Sequence, residues 1–94
     1  MFISCAETKK MINEQNAQFV DVRTPEEFMS SQLPGAVNIP LHVIEQECDK
    51  LDKSRPVIVF CRSGQRSQMA LQILKGKGFS NVHNMGSFMA WNQC

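Results

Sequence analysis

Val57, Ile58, Val59 and Phe60 form an unbroken apolar run that ends at Cys61. Four consecutive apolar residues cannot sit on a half-solvated strand, which needs alternation, so both faces of this segment must be covered. That demand points to a central strand of a mainly parallel sheet with helices on either side. Pro56 stands at the one position where such a strand tolerates proline, its start. The run is far short of the ~20 residues that span a bilayer, so no membrane partner is expected.

The rest of the chain supplies the layers. Strand and helix signals alternate, the pattern of an α/β domain. Ser4 and Glu7 are spaced as a capping box, opening a helix over about 5–15. Gln18 to Val22 reads as a strand with Asp21 near its exit. Thr24, Pro25 and Glu27 mark a stronger helix start, which Leu33-Pro34-Gly35 cuts short. Ala36 to Ile39 is a short strand closed by Pro40. Leu41, Ile44, Cys48 and Leu51 recur at helical spacing. After a polar loop at 61–66, Met69, Ala70, Ile73 and Leu74 mark another amphipathic helix, ended by Gly76 and Gly78. Asn81 to Asn84 is read as a last strand, and Phe88 with Trp91 as a short closing helix anchored in the core.

At 94 residues there is room for one domain, 1–94, and for one core. Ten Lys/Arg against nine Asp/Glu leave a net charge of +1 with no basic run, so no nucleic-acid partner is expected. The first seven residues, Met1 to Glu7, lack the basic start and apolar stretch of a signal peptide. A cytoplasmic chain is therefore expected, although a trimmed periplasmic one would read the same. Cys5, Cys48, Cys61 and Cys94 are scattered, form no CxxC pair, and stand apart from His42 and His83, so no metal site is expected. With an ordinary apolar content of 43%, the chain does not need disulfides for its core, and four free thiols are the expectation. The methionines are read as core fillers, and His42 and His83 as surface or packing residues.

One segment carries chemistry: Cys61-Arg62-Ser63-Gly64-Gln65-Arg66-Ser67. In parallel α/β sheets ligands bind at the carboxyl ends of strands, where Cys61 falls. Most buried free cysteines are small hydrophobes, a description that suits Cys48 and Cys5. It suits Cys61 poorly, because Arg62 and Arg66 lie within five positions of it. Those cations and the start of the next helix are expected to lower the thiol pKa. Gly64 in a short loop lets successive N–H groups turn inward as an anion nest, and it is the natural place for a positive φ. Ser63 and Ser67 are candidate hydroxyl donors, Ser67 alternatively a helix cap. Asp21 and Arg23, at a neighbouring strand exit, could orient the loop or form a purely structural pair.

The loop from Cys61 to Ser67 resembles the active-site loop of single-domain rhodaneses, the thiosulfate sulfurtransferases. Asp21-Val22-Arg23-Thr24-Pro25-Glu26-Glu27-Phe28 resembles that family's first signature, Leu33 to Pro40 its second, and Gly86 through Trp91 its C-terminal one. The resemblance implies a rhodanese-like three-layer α/β domain with a parallel sheet of about five short strands. It implies Cys61 as the nucleophile that carries a persulfide. Arg62, Ser63, Gly64, Gln65, Arg66 and Ser67 become the substrate-binding loop, the arginines meeting an anionic donor such as thiosulfate. The acceptor would be cyanide, a thiol or a protein, with no metal or organic cofactor and a monomeric chain. Four residues separate Cys61 from Arg66. Related cell-cycle phosphatases have five, so the resemblance implies a ring sized for sulfur rather than phosphate. Ser31-Gln32-Leu33 and Gly86-Ser87 depart from the family's usual Gly-His-Ile and Gly-Gly. These changes bear on the pocket rim and partner surface, and leave the nucleophile untouched. A sulfur-relay carrier and a non-catalytic regulatory module are the rival readings.

Overall fold

The computed structural model describes residues 2–94. Helix α1 (Cys5–Gln15) leads into β1 (Gln18–Asp21), α2 (Pro25–Ser30) and β2 (Val37–Asn38). The chain continues through α3 (Ile44–Glu47), β3 (Val57–Cys61), α4 (Gln65–Gly76) and β4 (Val82–Ser87), and closes in a 3-10 helix, Phe88–Gln93. The strands pair in parallel in the order β2-β1-β3-β4.

The double cover demanded by 57–60 is present, because every residue of β3 is buried. Val57, Val59 and Cys61 face the layer of α3 and α4, packing with Val20, Ile44, Leu74 and Phe79. Ile58 and Phe60 face the opposite layer, with Met11, Phe19, Met85 and the partly buried Trp91. The period of two thus feeds two cores from one strand. Each buried aliphatic or aromatic side chain there contributes about 1.5–3 kcal/mol of transfer free energy.

Among the described residues four strands form where about five were expected. Beside β4, the Ile3 N–H reaches the Asn84 carbonyl at 2.9 Å. Ser4 then caps α1 at once, accepting from the Glu7 N–H at 3.0 Å, so this segment turns into a helix before a ladder can grow. Thr24 and Glu27 close a full capping box on α2, with Pro25 in its first turn. The helix expected over 41–51 is instead a 3-10 turn, the single turn α3, and a second 3-10 turn. Val43 (φ −121°) and Glu47 (φ −104°) interrupt it, yet Ile44 and Cys48 are still buried on one side.

The expectation of four free thiols is corrected. Cys5 and Cys94 form a disulfide with their Cα atoms 5.9 Å apart, leaving Cys48 and Cys61 as buried free thiols. The bridge forms because α1 and the closing 3-10 helix cover the same face of the sheet. Trp91 there stacks on Phe19 at 5.2 Å and lies 4.6 Å beneath the Lys9 ammonium. The methionine reading is corrected as well. Met11 and Met85 are core residues, but Met29, Met69 and Met89 are exposed.

Candidate active site

Cys61 is the last residue of β3 and is 0% exposed, at the carboxyl end of the sheet. Gly64, the N-cap of α4, has φ +101°, and a Cβ added there would overlap the Phe2 ring. The positive φ is what calls for glycine, since the ring of the exposed Phe2 could move aside. The Gly64 N–H donates to Cys61 Sγ at 3.0 Å, and Ser67 Oγ lies 3.4 Å from the same sulfur. Ser67 is buried inside the first turn of α4, so it faces the thiol and does not cap the helix.

Burial pushes the Cys61 thiol up, but hydrogen bonds to the sulfur outweigh it and hold the pKa below the ordinary thiol value. The donors are the Ser67 hydroxyl and the N–H groups of Ser67, Gly64 and Ser63. This changes the expected source of activation. Arg66 does not stand free beside the sulfur, since its guanidinium forks onto Glu27, Nη1 to Oε1 at 2.7 Å and Nη2 to Oε2 at 3.0 Å. The hydrogen bond from Arg66 holds the Glu27 carboxyl down at about 2, and the same pair raises Arg66. Glu27 also accepts from the Thr24 N–H and hydroxyl, so the cap of α2 is fastened to the start of α4. Arg62, Ser63 and Gln65 are exposed at the mouth of the loop.

Asp21 and Arg23 form a buried pair at 2.7 Å. Arg23 also donates to the Ser31 carbonyl and lies 4.4 Å over the Phe88 ring. These contacts tie the β1 exit to the end of α2 and to the closing helix, the structural alternative of the two. His42 lines a shallow cleft with Val22, Leu41 and Arg66, and His83 bonds Asn81 at 2.6 Å. Sequence reasoning missed Phe2 and Asn84 beside the loop, and saw Glu27 only as a cap. Glu27 and Arg66 stand 39 positions apart, and no local signal announces their pairing.

A family model described as the rhodanese-like domain matches residues 4–94. The chain belongs to this family. Among relatives, it is 37% identical to thiosulfate sulfurtransferase GlpE of Pseudomonas syringae, over 90% of this chain and 81% of that protein. It is 34% identical to the putative sulfur carrier protein YrkF of Bacillus subtilis, over 82% of this chain but only 42% of that longer protein. Among solved structures, a rhodanese-like domain protein from Staphylococcus aureus superposes with a TM-score of 0.84 at 31% identity, covering 98% of this chain and 92% of that one. The rhodanese-like fold therefore accounts for nearly the whole chain, both the Cys61 loop and the Glu27–Arg66 clasp included.

The clasp has a pH signature. A carboxyl lowered from 4.5 to about 2 contributes stability that is full above pH 4.5 and is lost as pH falls toward 2. Glu27→Gln should remove this component. Its stability should then vary less than wild type between pH 4.5 and 2 in acid-unfolding curves.

Proposed function

We propose that this rhodanese-like domain is a thiosulfate sulfurtransferase working through a Cys61 persulfide. Sulfurtransferase-type function follows from the family and its named relatives; the donor, the acceptor and the intermediate are our reading. The Cys61 thiolate attacks the outer sulfur of thiosulfate, a new S–S bond forms, the donor's S–S bond breaks, and sulfite leaves with the electron pair. Cyanide, or a thiol, then attacks the outer persulfide sulfur, which departs as thiocyanate or a new persulfide, and the Cys61 thiolate returns. The observation that carries this reading is the ring of donors from Ser63, Gly64 and Ser67 around one buried sulfur. Donors already in place stabilise negative charge on the thiolate and on the persulfide without reorganisation. Transfer to a protein acceptor is the relay form of the same chemistry, favoured by the likeness to a putative sulfur carrier protein.

Such a mechanism is ping-pong. Initial rates of thiocyanate formation should give parallel double-reciprocal lines for thiosulfate at several cyanide concentrations. Intersecting lines, which need both substrates bound together, would contradict it.

With Arg66 clasped by Glu27, we assign first contact with the anionic donor to the exposed Arg62. An exposed ion pair is worth at most ~1 kcal/mol, so Arg62→Ala should raise the thiosulfate KM about fivefold with little change in kcat. An unchanged KM would remove Arg62 from donor binding.

A further inference from the structure

The N–H that points at Cys61 belongs to Gly64, a residue whose own backbone has wide freedom, so its direction must be set by something else. The opposite strand supplies it. Val59 of β3 pairs with Asn84 of β4, but Phe60 pairs with Gly86, which leaves Met85 as an extra residue. This irregularity is a bulge, and bulges beside functional sites re-aim side chains. Here it delivers Asn84, 1% exposed, toward the start of α4.

Every polar atom of that side chain is engaged. Nδ2 donates to the Gly64 carbonyl at 3.3 Å and to Gln68 Oε1 at 3.2 Å, while Oδ1 accepts from the Gly86 N–H at 2.8 Å. The Gly64 carbonyl also receives the Gln68 N–H at 3.0 Å, the opening bond of α4. Gly64 is thus held by its carbonyl to β4 and by its N–H to Cys61. On the other side, the Phe2 ring covers both Gly64 and Gly86.

We propose that Asn84 is a positioning residue: through the Gly64 carbonyl it keeps the Gly64 N–H aimed at Cys61 Sγ. Asn84 touches neither the sulfur nor a substrate. The role rests on the Cys61 reading only in naming Cys61 as the reactive thiol, because thiol ionisation can be measured without sulfur transfer. Arg66, closed on Glu27, is the charged group on α4 that senses the Cys61 charge, and substitutions at 84 leave it in place.

The test is iodoacetamide alkylation of Cys61 as a function of pH, read by peptide mass, in Asn84→Ala, Asn84→Leu and Asn84→Asp. Leu fills the space without hydrogen bonds, and Asp keeps the acceptor for Gly86 while losing the donors to Gly64. With a loop donor misaimed, the midpoint should move up and the rate at neutral pH should fall about threefold to tenfold in all three. The plateau rate at alkaline pH should stay at the wild-type value. A side chain that merely supports folding would lower the melting temperature and leave the midpoint alone. Folded variants with the wild-type midpoint overturn the proposal. Should none of the variants fold, NMR of the wild-type chain decides it. The Asn84 side-chain amide and the Gly64 N–H should shift together as Cys61 ionises, and a Gly64 shift with a motionless Asn84 amide overturns it. A chain that alkylates as expected but forms no persulfide with thiosulfate keeps the role of Asn84 and loses the sulfur-transfer reading.

Discussion

Cys61→Ser is expected to abolish thiosulfate:cyanide sulfur transfer, whereas Cys48→Ser should retain most of it. A serine hydroxyl in the same ring of donors ionises far less readily than a thiol and cannot form the persulfide. The loss should therefore reach background. Cys48, buried against the α3 side of the core, loses packing and a long thiol contact to the Glu45 carbonyl, both away from Cys61. Thiocyanate formation followed colorimetrically for both variants decides the assignment. Turnover retained in Cys61→Ser would place the sulfur elsewhere.

The second large effect concerns stability. The Cys5–Cys94 bridge spans 89 positions and so closes almost the entire chain into one loop. On the chain-entropy account, a loop of that length confers ~4.6 kcal/mol, whereas about 2–4 kcal/mol is typical of disulfides in general. In a domain of this size each kcal/mol corresponds to about 4–8 °C in melting temperature. Adding reductant, or replacing Cys5 by serine, should lower Tm by at least ~10 °C in calorimetry. The Gly64 N–H and Ser67 hydroxyl around Cys61 do not depend on that bridge, so the reduced chain, while folded, should still transfer sulfur. A Tm insensitive to reductant would mean that the terminal segments are held by packing around Trp91 alone.

Much of the site was legible because its parts are contiguous. Strand, cysteine, glycine turn and helix start all lie between 57 and 67, and local physics dictates each of them. Gly64 takes the positive φ read for it, and Thr24, Pro25 and Glu27 build the cap their spacing announces. Pairings across the fold were not legible. Arg66 reads as a free cation in its own loop, and only the fold, which brings the first turn of α2 beside that of α4, hands its charge to Glu27. Activation of the thiol consequently falls chiefly to hydrogen bonds, with the Arg66 charge in a secondary part. Asn84 reads as one more residue of a last strand, because a bulge one residue long leaves no trace in the hydrophobic pattern. The terminal disulfide is the extreme case. Two cysteines at opposite ends of a chain carry no spacing signal, and their meeting depends on α1 and the closing helix sharing a face.

A sulfur carried on Cys61 adds its own mass to the chain, and intact-mass spectrometry reads that atom directly. After incubation with thiosulfate and removal of excess donor, the chain should gain the mass of one sulfur. Peptide mapping should place the gain on Cys61, and cyanide should remove it with formation of thiocyanate. A chain whose mass is unchanged by thiosulfate, or whose added sulfur maps to Cys48, would mean that Cys61 is not the sulfur carrier.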